Sequence, residues 1–459
     1  MKNITYKHIL YWILCSMSVI SGCKKEDAFL DTKPNDALAV PASLGDLQLL
    51  VQNEAVFNRL SFPVLGEVSC DDYYVTDDIY TSGTTSDRNA CIWAKQIYDA
   101  GSNNNDWSDS YNQVYYANTI LYYLPKIGAG SGQQSTYNQI EGSALFFRAM
   151  AFYGLVQTFA LPYDSKTAGT DLGIPLRLSP DLNIKSVRSS MQDSYGQILL
   201  DLKTAIALLP VTANPITRPS KAAAYGLLAR VYQVMGNTSA ALQNADSCLN
   251  IIHNLQNFNN LTPGAFPVYP NYSPEEIFHC SLNGSYFTGF QSLLDSNLYK
   301  LYNDPNDLRP QVFFRYHSGL IGFLSQFDKR NSTYCGISTN EIYLIKAECE
   351  ARSGNTSSAM SDLNTLLINR WKTGTFVPLR ATDGDDALTQ ILNERRKELV
   401  MTGLRWSDLR RLNTDSRFAV TLRRIINGVE YTLPPNDPRY ALPIPDNEIQ
   451  LSGIQQNPR

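Results

Sequence analysis

The sequence predicts a mainly α protein, with paired helices stacked into a superhelical scaffold and long irregular, aromatic-rich insertions between them. Three observations predict it. Beyond residue 107, apolar residues recur at three- and four-residue steps over long stretches. The stretch that begins at Ala224 returns 118 residues later, at Ile342. Residues 51–105 and 253–337 lack that periodicity and concentrate Asn, Gly, Pro, Ser and aromatic residues.

Taken in order, Val114, Ala117, Leu121 and Leu124 follow Trp107 on one helical face, and Pro125 is expected to close that run. Gly128 to Gly132 form a flexible link, after which Ile140, Ala144, Phe147, Ala151 and Leu155 again keep one face apolar, as far as Leu161-Pro162. A long loop follows through "GTDLGIPLRL". The next helix, "MQDSYGQILLDLKTAIALLP", stops at Pro210, whose ring cannot continue the hydrogen-bond ladder and pushes Leu209 out of helical geometry. In the repeat, Tyr225 matches Tyr343, Ala229 matches Ala347, Gly236 matches Gly354 and Ala241 matches Ala359. Each copy reads as helix, turn, helix, with glycine at the turn and alanine where two helices must approach closely. That pattern resembles a tetratricopeptide hairpin. Such hairpins cannot bury their apolar faces alone, so the helices around 110–160 and 190–209 are expected to stack on them. Residues 107–250 and 338–412 are thus expected to be helical repeats, with 23–105 and 253–337 as the loop-rich binding part; by length, one elongated domain over 23–459 and two domains fit equally.

The N-terminus sets the compartment. Lys2 and Lys7 precede an uncharged, mostly apolar run from Ile9 to Ile20, then small Ser21 and Gly22, which is the layout of a secretory signal over residues 1–22. Its twelve residues would rise about 18 Å as a helix, well short of a hydrocarbon core of about 30 Å. Ile20-Ser21-Gly22-Cys23 resembles a bacterial lipobox, in which the cysteine thiol takes a diacylglycerol and becomes the first residue of the mature chain. Lys24-Lys25-Glu26-Asp27 follows as a charged tether with no aspartate directly behind the cysteine, a pattern that looks like that of outer-membrane lipoproteins.

Composition excludes several classes. The formal charge of −4 becomes −6 without Lys2 and Lys7, so a nucleic-acid partner is not expected. The chain has no H-E-x-x-H, no G-x-S-x-G, no G-x-x-x-x-G-K-[ST] and no C-x-x-C pair, and no cofactor is expected. Six cysteines remain after Cys15 and Cys23, either as buried thiols or with a disulfide such as Cys70 to Cys91. The carboxylates Asp71, Asp72, Asp77 and Asp78 crowd one segment and read as a solvated acidic loop, with a surface glycoside hydrolase as the competing class.

The C-terminal third carries "NERRKELVMTGLRWSDLRRL" and then "YALPIPDNEIQLSGIQQNP". With these runs the chain resembles the SusD/RagB family of Bacteroidetes outer-membrane lipoproteins. Glu394 to Leu399 match its Glu-Arg-Arg-x-Glu-Leu, Gly403 to Arg411 match its Gly-x-Arg-Trp-x-Asp-Leu-Arg-Arg, and Pro443, Ile444, Pro445, Glu448, Ile449, Gln456, Asn457 and Pro458 match its closing motif. The segments "LFFRAMAFYGLVQTF", "KAAAYGLLARVYQVMGN" and "EIYLIKAECEARSGN" fall in the family's order, and Thr402 departs from its usual Glu. The resemblance implies four tetratricopeptide-like hairpins, seated as a lid on a SusC-like TonB-dependent outer-membrane transporter. It also implies capture of a nutrient, most often a glycan and in RagB-like members a peptide, without catalysis, at the cell surface and held by the lipid on Cys23.

The strongest motif is not read as the binding site. In "GLRWSDLRRL", Leu404, Trp406, Leu409 and Leu412 form an apolar stripe, while Arg405, Arg410 and Arg411 stand near Asp408, Glu394 and Glu398, a structural ion-pair belt. Asp307 and Arg309 read likewise as a structural salt bridge, and a structural calcium at Asp383 to Asp386 is the one metal reading. Glycan binding asks for a flat aromatic face flanked by groups that hydrogen-bond hydroxyls. The candidates are Trp93 as platform, with Tyr73, Tyr74 and Tyr98, the flanking Asp71 and Asp72, and Tyr286 and Tyr302 from the insertion.

Overall fold

The computed structural model describes residues 40–459, except 100, 102–103, 267, 270–271, 325–326 and 328–332. The signal segment 1–22, Cys23 and the tether behind it lie outside the described residues. Eight helices carry the scaffold: α1 Asn105–Ile127, α2 Gln134–Phe159, α3 Met191–Leu208, α4 Lys221–Val234, α5 Thr238–Leu249, α6 Thr339–Arg352, α7 Thr356–Leu367 and α8 Gly384–Glu398. They pack in chain order, α1 on α2 and so on to α6 on α7 and α8. This is the stacked arrangement that hairpins unable to bury their own faces require.

Local signals fix the ends. The Asn104 side chain accepts a hydrogen bond from Trp107 N at the start of α1, Ser190 caps α3 and Ser220 caps α4. α1 continues past Pro125, the residue expected to close it, because a proline in the last turn forfeits only the bond to Leu121 O; Gly128, at φ 71°, ends the helix. From Gly142 to Phe159 every residue of α2 is buried, as befits a helix apolar on all sides. Its one buried cation, Arg148, forms a bidentate pair with Asp201 of α3 at 2.7 Å. The repeat reads as expected, with Gly236 and Gly354 at φ 72° and 82° in the α4–α5 and α6–α7 turns, and Ala229, Ala241, Ala347 and Ala359 fully buried. Arg230 to Glu341, again bidentate, ties α4 to α6.

The N-terminal segment differs from the loop expected of it. It carries short helices at Leu44–Val51, Glu54–Phe57, Leu65–Ser69, Asp77–Ser82 and Thr85–Cys91, the last two capped by Thr76 and Thr84. Helices of four to eight residues make about two turns at most, too few to show periodicity in sequence. The insertion is mainly irregular and completes a four-stranded antiparallel sheet, β1 Tyr73–Tyr74, β2 Leu293–Leu294, β3 Phe314–His317 and β4 Leu320–Phe323, in the order β1-β2-β4-β3. A hairpin, β5 Leu422–Ile426 and β6 Val429–Leu433, turns at Asn427-Gly428, both at positive φ.

α8 and the following helix, α9 Arg405–Leu412, form the ion-pair belt. Arg309 meets Asp307 and Glu394 at 2.7 Å and Glu398 at 3.4 Å, and Arg370 meets Glu275 and Glu398 at 2.7 Å. Arg395 and Arg411 hold Asp408 at 2.8 Å, and Arg411 also holds Glu348 at 2.6 Å. Burial alone would raise Glu348 and Asp408, yet the adjacent guanidiniums hold both down at about 2. Asp383 caps α8 by accepting from Asp386 N, Asp386 accepts from Thr382 N, and Asp385 pairs with Arg417. Cys70, Cys91, Cys248, Cys280, Cys335 and Cys349 are all buried free thiols, so Cys70 and Cys91 are not joined.

Candidate functional site

Most of the expected platform is inside the protein. Trp93 is 2% exposed, its Nε1 donates to Ser69 O at 2.9 Å, and the Arg424 guanidinium lies 5.4 Å from its ring and 4.7 Å from that of Tyr73. The helix that ends at Cys91 is followed by Trp93 at φ 54°, a turn that carries the indole inward. Tyr73, Tyr98 and Tyr302 are buried too, and each hydroxyl donates to a backbone carbonyl: Val68 O at 2.6 Å, Pro443 O at 3.1 Å and Lys397 O at 2.7 Å. These four rings are pillars of the core and are not stacking surfaces. A polar atom on an apolar body lets a tyrosine be buried once the hydroxyl has a partner, and sequence alone does not show that partner.

Tyr74 and Tyr286 do reach solvent, 40% and 41% exposed. Register explains Tyr74. Successive strand residues point to opposite faces, so Tyr73 faces the core and Tyr74 faces out. Tyr74 pairs with Leu293, Leu293 with Gly322, and Gly322 with Arg315, which places these four in one row across the outer face. One step along, His317 pairs with Leu320, and both are exposed. Arg315 lies across Gly322: a Cβ there would come 3.1 Å from its Nε. The opposite face is anchored by Phe314, whose ring packs 5.4 Å from Tyr302 and 6.5 Å from Tyr299. At the sheet's edge Tyr316, 56% exposed, shares a 3.3 Å contact between hydroxyls with Tyr299. Tyr286 stands beside Phe287, which stacks on Tyr80 at 6.1 Å.

Asp71 and Asp72 lead into β1 and form a charged knot with two arginines. Arg405 reaches Asp71 at 2.7 Å, and Arg396 reaches Asp72 at 3.0 Å, Asp71 at 3.2 Å and Asp295 at 3.9 Å. Burial is the largest influence on both carboxyls. In Asp71 the two guanidiniums outweigh it and hold the group well below the usual range, whereas in Asp72 burial and the neighbouring Asp71 win, to about 6. Asp72 is fully enclosed, while Asp71, Arg396 and Asp295 keep some exposure beside the strand. Below them Glu67, Cys70 and Asp72 bring one ligand atom each within 4.8 Å of one another, all buried. Burial and Asp72 push Glu67 up to about 8, so it is a neutral acid at neutral pH.

Arg315, Tyr316, His317 and Leu320 are absent from the sequence-derived candidates. The signal was present in "FRYHSGLIGF", two short alternating runs around Ser318-Gly319, a two-residue turn with φ 49° and 77°.

Comparison with known proteins decides what this arrangement belongs to. A family model described as starch-binding, associating with the outer membrane, matches residues 28–233, and the model of the SusD family matches residues 328–459. The chain belongs to the SusD/RagB family. SusD-like protein P2 of Formosa agariphila is 24% identical over 422 residues, spanning 76% of this chain and 79% of its own. Among solved structures, a SusD superfamily protein from Bacteroides thetaiotaomicron superposes with a TM-score of 0.75 at 22% identity, covering 91% of this chain and 100% of its own. A putative sugar-binding protein from Bacteroides vulgatus gives 0.73 at 22%, covering 92% and 99%. A laminarin-binding SusD-like protein gives 0.62 at 19%, covering 90% and 97%. These likenesses establish the SusD fold around the sheet and the helical stack. No helix among the described residues is long and apolar enough to cross a membrane.

Proposed function

We propose that this SusD/RagB-family protein is a nutrient-binding lipoprotein of the outer-membrane surface that captures an oligosaccharide and passes it to a SusC-like TonB-dependent transporter. The observation that carries the reading is the outer face of the four-stranded sheet, which exposes Tyr74 on one edge strand and Arg315, His317 and Leu320 on the hairpin at the other edge, on a backbone anchored from behind by Phe314, Tyr302 and Tyr299. An aromatic ring at one end of the row and a guanidinium at the other, three strand spacings or roughly 14 Å apart, suit the apolar faces and hydroxyl edges of successive units of an extended saccharide. Binding without turnover is supported by the state of the carboxylates. Asp71 and Asp72 are tied to Arg405 and Arg396, and Asp77 accepts from Asn427 N. Glycoside hydrolysis needs two carboxyls free to act on the two sides of one bond.

Acylation at Cys23 would keep this domain beside its transporter and raise the local concentration of bound nutrient without any new contact. The test is calorimetric titration with a panel of neutral oligosaccharides, polysaccharides and peptides. The account expects a saccharide to bind; a response to peptides alone would make the protein a RagB-like peptide binder, and a flat response would count against direct capture. Cys23→Ala should release the protein from the membrane fraction.

A further inference from the structure

A second concavity lies away from the sheet face and shares no residue with it. It is a cleft of about 330 Å³ with one face of α1 as its floor, Trp107, Tyr111 and Tyr115 at helical spacing, and the loop from Pro175 to Ser186 as one wall. The other wall is Pro445 to Glu448, at the start of a short C-terminal helix, α10 Asp446–Ser452. The volume falls at the small end of the roughly 300–1,000 Å³ range of ligand pockets.

The walls are held rather than loose. Tyr111 Oη donates to Pro175 O at 2.9 Å, and Asn118 Nδ2 donates to Arg177 O at 2.8 Å while its Oδ1 accepts from the buried Arg148. Arg177 in turn staples the loop to itself, through Asp181 O at 2.7 Å, Ser186 Oγ at 3.2 Å and Ile184 O. A cleft set in advance in this way loses little freedom on binding. The Glu448 carboxylate and the Tyr115 hydroxyl, both half-buried in the lining, make no hydrogen bond among the described residues.

The geometry points to a second saccharide subsite, which takes a short neutral sugar between the tyrosines of α1 and the Glu448 carboxylate. This rests on the glycan reading above and makes the protein bivalent for its ligand. A carboxylate with two free oxygens accepts from vicinal hydroxyls, the Tyr115 hydroxyl can donate or accept, and the rings of Tyr111 and Tyr115 give the sugar an apolar surface. An anionic ligand is disfavoured, because Arg177 is spent on loop oxygens and the unengaged charge in the lining is Glu448. A cationic ligand would also fit a carboxylate beside aromatic rings, and the experiment separates the two.

Trp107 supplies a local reporter, since Trp93, Trp371 and Trp406 lie outside the cleft. The full chain labelled with 5-fluorotryptophan, its resonances assigned by single Trp→Phe substitutions, is titrated with neutral oligosaccharides and, separately, with lysine amide. The Trp107 resonance should shift and saturate with a saccharide, Glu448→Gln should weaken that response roughly tenfold or more, and the Tyr74→Ala/Arg315→Ala double variant should leave it in place. Circular dichroism confirms that the variants fold. Calorimetric heat with a saccharide while the Trp107 resonance stays still overturns the second subsite and leaves the sheet-face reading standing. A shift with lysine amide alone also overturns it. Neither heat nor shift with any saccharide removes both readings.

Discussion

The ion-pair belt and the outer face of the four-stranded sheet use arginine in opposite ways. In the belt, Arg309 and Arg370 are fully buried; Glu398 bridges the two, Asp307 and Glu394 are shared between Arg309 and Lys397, and Glu275 is held by Arg370. On the sheet, Arg315 is exposed and its side chain lies against Gly322. A buried guanidinium makes removal of either partner costly, because it leaves an uncompensated charge, so the belt fixes the fold. Interactions of exposed charged side chains contribute little by comparison, about 0–1 kcal/mol each. The difference teaches that the part of this molecule most demanding of its residues is the part least available to a ligand.

That contrast can be broken from the belt side first. Arg370→Ala should cost about 3–5 kcal/mol by stranding Glu275 and taking one of two guanidiniums from Glu398, and Trp93→Ala a similar amount by opening a core cavity. Urea denaturation measures both. A Trp93→Ala protein that keeps its stability but loses ligand would restore Trp93 as the platform. A smaller effect should come from Glu67, next to the charged knot. Its folded-state value of about 8 lies above its ordinary 4.5, so between these the folded protein holds the extra proton and stability falls as pH rises through that window. Asp106, pushed up to about 6 by burial, adds a decline of the same sign over a narrower range. Glu67→Gln should flatten the slope of urea midpoint against pH between about pH 5 and about pH 8; an unchanged slope would show that Glu67 is ionised. The smallest change is Gly322→Ala. The new Cβ would crowd Arg315 at 3.1 Å and move its guanidinium, so ligand affinity should fall several-fold while stability stays within about 0.5 kcal/mol.

The helical scaffold was legible because α1 to α7 are long enough for their period to show and because the repeat placed Gly236 and Gly354 at equivalent turns. The belt was legible in part: Asp408 does pair with Arg411, and Glu394 and Glu398 are ion-paired, but to Arg309, whereas Arg405 leaves the belt for Asp71 and Arg410 donates to the backbone carbonyls of Gln157, Tyr440 and Ala160. The binding part was only half legible. Tyr74 and Tyr286 stood among the candidates, but nothing in "CDDYYVTDD" says which of two adjacent tyrosines faces the core, since that depends on pairing with Leu293 and Leu294 more than 200 residues away. Trp93 misled because its burial comes from a tight turn and a stack with Arg424, both set by tertiary packing. The strands of the sheet are two to four residues long, below the length at which alternation is convincing, and its outer face is assembled from three separate stretches of chain.

The most direct test of the account is calorimetric titration of the Tyr74→Ala/Arg315→Ala double variant against the native protein, with whichever oligosaccharide the native protein binds. The account predicts that binding at the sheet face is lost while the urea midpoint is unchanged. Native affinity and native stoichiometry in the double variant would contradict it and would move the binding site off the sheet.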